Sequence, residues 1–302
     1  MVELNPLSKD PDEIRRMWYI PPWPEYKSSW VLYSKDFVLQ TLQGCYRYPE
    51  KARNTPVWRV LSTLVWFGMI CTQLVIMALS YIPIVSWGIY MFVSAFPRNA
   101  VGFFLRGCYW KTRLRHLGVD TLIDQGVEIN RPDLIEIGSH CHIDRKVLLT
   151  VGAERGEIII GDNVLIGPHC HIVGRGGVVI KSFASLSAHV HVYSVTNLPY
   201  HPERMGELIS MTHTVPFNQQ SAVEARVTLS EYVTIGFNTI ILPGVNIGFG
   251  AIVHAFSEVD RSFPDFAIVS GHGRARQQGW RRPGRLDPRL QGKDGDNRDD
   301  NL

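Results

Sequence analysis

A branched aliphatic residue returns every six positions through the second half of this chain, usually followed by Gly, Asp or Ser. The clearest run is Ile235-Gly236, Ile241-Leu242, Ile247-Gly248, Val253-His254 and Val259-Asp260. Earlier passes carry it at Ile137 and Ile143, at Ile160, Ile166 and Ile172, and at Ile180, Leu186 and Val192. A helix would repeat at three and four residues and a half-buried strand at two, so neither explains this period. Six residues per face suits a parallel β-helix, in which no coil buries its own apolar edge and stacking supplies the core. Three such faces predict an 18-residue coil, matching the steps Ile235 to Val253 and Ile241 to Val259. The Gly and Asp that trail the aliphatics suit corners, because they accept backbone angles that β-branched residues resist.

Upstream the character changes. Residues 1–56 are polar and aromatic by turns, with Pro21, Pro22 and Pro24 breaking any long helix. They read as a docked extension whose Trp18, Tyr19, Trp23, Trp30 and Tyr33 pack on the protein or sit at a lipid headgroup layer. From Val60 to Pro97 no side chain is charged. As helix that run would extend about 57 Å, against a hydrocarbon layer of about 30 Å. We expect a membrane-associated helical hairpin over 57–117, contacting the bilayer through residues 60–105 and broken near Tyr81-Ile82-Pro83. Trp58, Trp66, Trp87 and Tyr90 are compatible with interfacial anchoring. Lys51, Arg53 and Arg59 precede the run, and Arg98, Arg106, Lys111, Arg113 and Arg115 follow it. That bias places both ends on the cytoplasmic face of the membrane.

The net charge of +3 is too small to argue for a nucleic-acid partner. Five cysteines, none in a CxxC pair, suit a reducing compartment. The opening MVELNPLSKDPDEIRRMW is too charged for a secretory signal. The β-helix is expected over 118–270, interrupted by an excursion at Leu148 to Glu157 and a longer loop from Ser194 to about Ala225. The tail, 271–302, is rich in Arg, Gly, Pro and Asp and is expected to be partly disordered.

The stretch Val233-Thr234-Ile235-Gly236-Phe237-Asn238-Thr239-Ile240-Ile241-Leu242-Pro243-Gly244-Val245-Asn246-Ile247-Gly248 resembles the late coils of the left-handed β-helix (hexapeptide-repeat) acyltransferases. The likeness is greatest to the galactoside, maltose and colanic-acid type of acetyltransferase. It covers about half the chain. It implies a mainly β, left-handed parallel β-helix and a homotrimer with acetyl-CoA as co-substrate between neighbouring subunits. It also implies acetyl transfer to a sugar or glycolipid acceptor, with no metal, in surface polysaccharide or glycolipid synthesis.

A hydroxyl acceptor needs a positioned base, usually His, and an oxyanion donor. In the family the catalytic His ends a turn where the long loop leaves the helix, and here Asn197 holds that position. Several readings stay open. His201, four residues on, serves as base; or His189 or His191 on the preceding face does. Alternatively the acceptor is an amino-sugar and Asn197 orients it, as in the sugar-nucleotide N-acetyltransferases that Thr196-Asn197-Leu198-Pro199 resembles. A non-catalytic scaffold of the same fold is a further reading.

His189, Asn197 and His201 are thus the candidate catalytic residues, with His191 and Tyr193 for the substrate. The resemblance places CoA along Gly236 and Gly248, with Arg274 and Arg276 reaching its phosphates. His254 and Phe256 replace glycines usual near the pantetheine path and would narrow it. Two H-C-H triplets, His140-Cys141-His142 and His169-Cys170-His171, offer metal-ligand types, but outward polar residues on a coil are the plainer reading.

Overall fold

The computed structural model describes residues 29–281 apart from 47, 153–155, 202–203, 213, 217–218 and 272–273. Three parallel sheets wind into a left-handed prism. The first face stacks His116–Leu117, Ile135–Ile137, Ile158–Ile160, Val178–Ile180, Val227–Leu229 and Asn246–Ile247. The second stacks Leu122–Ile123, His142–Ile143, Leu165–Ile166, Ser185–Leu186, Thr234–Ile235, Ile252–Val253 and Ala267–Ser270. The third stacks Glu128–Asn130, Leu148–Thr150, His171–Val173, His191–Tyr193, Ile240–Ile241 and Glu258–Val259. Arg276–Trp280 folds back antiparallel on Ala267–Ser270 and closes the end of the second sheet.

The six-residue aliphatics are the core. Ile137, Ile143, Ile166, Ile172, Ile180, Leu186, Val192, Ile235, Ile241, Ile247 and Val259 are fully enclosed. Each such side chain contributes about 1.5–3 kcal/mol by leaving water. The 18-residue coil holds only after the long loop. Ile160 pairs with Ile180 and Val192 with Ile172, which makes that coil 20 residues long. The extra residues sit in corners, which accept them without moving the core register.

Corner chemistry explains two of the glycines expected to line the CoA path. A Cβ on Gly236 would strike the Ala255 backbone amide of the next coil, and one on Gly248 would strike Asp265. Both are needed for coil stacking whatever else they touch.

Among the described residues four α-helices precede the prism: α1 (Lys35–Leu42), α2 (Pro56–Ser80), α3 (Pro83–Ala95) and α4 (Ala100–Lys111). Pro56 and Pro83 each sit at a helix start, where a missing N–H costs nothing. The hairpin turns at Tyr81-Ile82, ahead of Pro83. The helix α4 packs on the first coil, burying Cys108, Tyr109 and Trp110.

Three expectations change here. Leu148–Thr150 belongs to the third face, so the short excursion starts only at Val151. Trp66 and Tyr90 do not face outward: the Trp66 indole donates to Tyr33 O at 2.9 Å, and Tyr90 packs against Tyr109 and Trp110.

The basic run after the hairpin is also turned inward. Arg106 donates to Ile123 O at 2.9 Å, Lys111 to Ser29 O at 2.8 Å, and Arg113 to Ser80 O at 2.7 Å. Arg98 meets Asp124, and Arg115 meets Glu136 and Glu157. Arg106, Lys111 and Arg113 are thus engaged within the protein, while Arg98 and Arg115 stay partly exposed in their ion pairs.

Candidate active site

The corner between the second and third faces is an aromatic column. His169 and His189 occupy equivalent corner positions in successive coils, both with left-handed backbone near φ 60° and 57°. Their rings stack at 4.9 Å with planes 2° apart. Phe237 meets His189 edge-on at 5.5 Å, and Phe256 continues the column at 5.4 Å from Phe237. Phe256 therefore lies at the far end of the same ridge as His189. One residue column inward, on the third face itself, His171 pairs in register with His191. Their rings meet edge-on at 6.3 Å, and Tyr193 lies 5.5 Å from the His171 ring and 6.2 Å from that of His191. The Tyr193 hydroxyl is 3.4 Å from His171 Nδ1.

Burial disfavours the charged imidazolium of His171 and of His191. It holds His171 and His191 below the ordinary histidine value, and each feels the repulsion of a neighbouring imidazole in addition. Buried His191 Nδ1 has no hydrogen-bond partner among the described residues. A neutral imidazole with an uncommitted nitrogen is what proton abstraction requires.

Asn197 is elsewhere. The chain passes along His191–Tyr193 and leaves the prism through Val195–Asn197, which pairs antiparallel with Ala222–Glu224. The third face thus separates the His189 corner from Asn197 within one subunit. The Asn197 amide donates to Met211 O at 2.7 Å, tying it to its own loop. Tyr200–His201 pairs with Arg204–Leu208 in that loop, and the His201 side chain lies outside the described residues.

Arg274 is 77% exposed in its side chain and touches Asp260 at 3.2 Å, while its backbone bridges Glu258 in the last strand of the third face. Arg276 is exposed on the closing strand. Neither approaches the imidazole column within the distances that define a contact here.

The two H-C-H triplets prove inequivalent. Cys141 and Cys170 point into the core and donate to Gly161 O and Ser187 O, and burial pushes both thiols up to about 12. They are corner-filling residues, which removes them as ligands. Asp124, His142 and Asp144 bring ligand-type atoms within 4.8 Å of one another. A guanidinium already serves that group as its cation, since Arg98 lies 2.5 Å from Asp124 and 3.5 Å from Asp144.

Sequence reading missed the partnership of His169 with His189 and of His171 with His191. The signal was present as a 20-residue offset, hidden by the assumption of a constant 18-residue coil.

No family model matches the chain. Over 139 residues it is 30% identical to the dTDP-4-amino-4,6-dideoxy-D-glucose acyltransferase of Escherichia coli, covering 46% of this chain and 68% of the relative. It is 26% identical to the bifunctional protein GlmU of Stutzerimonas stutzeri over 54% of this chain and only 46% of that protein, so it spans about half of that relative's length. Among solved structures it is similar to AntD, an N-acyltransferase from Bacillus cereus in complex with dTDP and coenzyme A. That likeness has a TM-score of 0.51 and 28% identity, covering 57% of this chain and 87% of AntD.

Proposed function

We propose that this chain, which belongs to the hexapeptide-repeat acyltransferases, moves an acetyl group from acetyl-CoA to a hydroxyl of a sugar acceptor at a membrane surface. The observation that carries the reading is the half-buried quartet His169, His171, His189 and His191, whose rings pair at 4.9 Å and 6.3 Å beside Tyr193. A hydroxyl is a weak nucleophile near neutral pH and needs a base already free of its proton. His189, at the open corner, takes the acceptor proton as the oxygen attacks the thioester carbonyl. The tetrahedral oxyanion then collapses, the C–S bond breaks, and the same proton passes to the departing CoA thiolate. His191 and Tyr193 line the acceptor beside it.

Asn197 and His201 lie across the third face from His189, so a single subunit does not assemble every candidate residue. A trimer, as the resemblance implies, offers each column a neighbour's loop, and CoA would run between subunits toward Arg274 and Arg276. Membrane attachment rests on α2, 25 residues long with mean hydropathy 2.0 over its central window and 11% of that window buried. Attachment would be from the cytoplasmic face.

The test is CoA-thiol release by purified protein with a panel of sugars. His189→Ala should lower kcat by about 10²-fold or more, while Asn197→Ala and Arg274→Ala leave kcat within a few-fold. No turnover on any hydroxyl sugar would remove the reading.

A second reading is N-acylation of an amino-sugar. It is favoured by the two relatives named for an amino-sugar acyltransferase and an N-acyltransferase. An amine needs less help in losing its proton, so activity untouched by both His189→Ala and His201→Ala would select it. The engagement of the Asn197 amide with Met211 O weighs against its role in orienting such an amine.

A further inference from the structure

A cavity of about 580 Å³ lies between α1, α2, α4 and the first coils of the prism, outside the histidine column. That volume is in the range of ligand sites, about 300–1,000 Å³. Its walls are apolar: Phe37 and Leu42 from α1, Val65 and Met69 from α2, Phe104 from α4, and Leu122 from the second face. One end is polar, where Arg98, Asn99 and His142 line it. Thr41 Oγ1, also on the wall, is buried without a hydrogen-bond partner among the described residues. The cavity opens to the surface at its rim, and an apolar concavity of this size suits an apolar ligand with a polar end.

Two further features say what kind. The wall helix α2 turns its opposite side outward as apolar surface, with Val60, Leu64 and Phe67 more than 60% exposed, and Val101 at the rim is 54% exposed. The rim is thus continuous with a surface suited to lipid. From the polar end, the corner that follows His142 in the same coil carries exposed Arg145 and Lys146. Both bring positive charge to bear on His169, one coil on, and His189 follows in the next. With coils about 4.8 Å apart, the corner of Lys146 lies about 10 Å from that of His189 along the axis.

We infer that the cavity holds the alkyl chain of a lipid-linked sugar phosphate, whose phosphate lies along Arg145 and Lys146 and whose sugar reaches the His189 corner. This rests on the acetyl-transfer reading for its choice of sugar, and adds that the acceptor is presented on a lipid. The arrangement binds a chain at one point and a head at another, so the head is selected by reach as well as by shape.

The test is saturable photolabelling of the full-length protein in mild detergent by a benzophenone-tagged polyisoprenyl phosphosugar. Labelled peptides should map to residues 33–104. Met69→Trp, which fills the cavity, and Val101→Trp, which closes its rim, should each lower labelling about tenfold. Leu64→Trp, on the outward side of α2, should leave it unchanged, and Arg145→Ala with Lys146→Ala should weaken binding of the phosphosugar without affecting the same lipid lacking phosphate.

Equal competition by phosphatidylglycerol would overturn the assignment in favour of bulk lipid. Labelling that appears only after residues 1–28 are deleted would overturn it in favour of the chain's own N-terminal segment, as would labelling indifferent to both tryptophans. Binding needs no turnover. A protein that binds the phosphosugar but releases no CoA sinks acetyl transfer alone, and one that acetylates soluble sugars without saturable lipid binding sinks the cavity alone.

Discussion

The prism and its helices solve the same problem in opposite senses. In the coils every sixth residue is aliphatic and sealed, and the outward columns are mostly polar or aromatic, with Leu165 and Ile240 as exposed aliphatics. In α2 the sealed residues are polar: Ser62, Gln73 and Ser80, each at most 2% exposed, while Leu64, Phe67 and Leu74 face out. The Gln73 amide accepts from Leu32 N at 3.1 Å and donates to Trp30 O at 2.8 Å. Arg113 holds Ser80 O and Ser86 Oγ. This helix meets the rest of the molecule through those hydrogen bonds and through partly buried Val65, Trp66, Met69 and Ile76, and leaves most of its other apolar side chains exposed. The contrast teaches that hydropathy alone, which is high in both regions, says nothing about which way the apolar face points.

The largest expected effect tests that inversion directly. Ile166→Asp puts a carboxylate where exposure is zero, and should cost at least about 4–5 kcal/mol, leaving no folded protein to purify. Leu64→Asp with Phe67→Asp should change thermal stability by no more than about 0.5 kcal/mol per site. It should instead abolish the cosedimentation with anionic vesicles that membrane attachment predicts for wild type. If the second pair unfolds the protein as the first does, the outward face of α2 is a packing face and the comparison fails.

Gln73→Leu sharpens the same point at smaller scale. It makes α2 more apolar yet strands Leu32 N and Trp30 O, so urea unfolding should show a loss of about 1–3 kcal/mol. A neutral or stabilising result would mean that the inward polar stripe is incidental.

The smallest effect concerns the coils' own exposed column. Burial keeps His171 and His191 below the ordinary value of 6.5. Above that pH neither folded nor unfolded chain carries the proton, and stability is indifferent. As pH falls through 6.5 the unfolded chain binds protons that the folded coil resists, so stability declines toward acid. His171→Gln with His191→Gln should flatten the urea midpoint between pH 7 and 5. A wild-type midpoint that rises toward acid over this range would contradict the burial of these two imidazoles.

The solenoid was legible because its information is local: one aliphatic in six, repeated, needs no knowledge of distant contacts. The exit of the loop near Ser194 and the helix break before Pro83 were legible for the same reason. The site was legible only in part. His189 and His191 stood out, but their partners His169 and His171 emerge only when coil length is allowed to vary between corners. The inward turn of Arg106, Lys111 and Arg113 was hidden, because charge spacing does not reveal what a cation reaches. The cavity was invisible for a stronger reason. Phe37, Val65, Phe104 and Leu122 come from four separate elements, and no pattern in the chain links them.

Where the loop departs, the prism has already healed itself. Gly176 N donates to Ser194 Oγ at 2.8 Å, that hydroxyl donates to Val173 O at 2.6 Å, and Ala225 N returns to Ser194 O at 3.0 Å. The two ends of the excursion therefore meet as a finished corner, and everything between them is an appendage. Splicing Ser194 to Ala225 through a short turn would keep the coils in step. A lineage carrying this seam is free to exchange the whole appendage without renegotiating the scaffold that supports it.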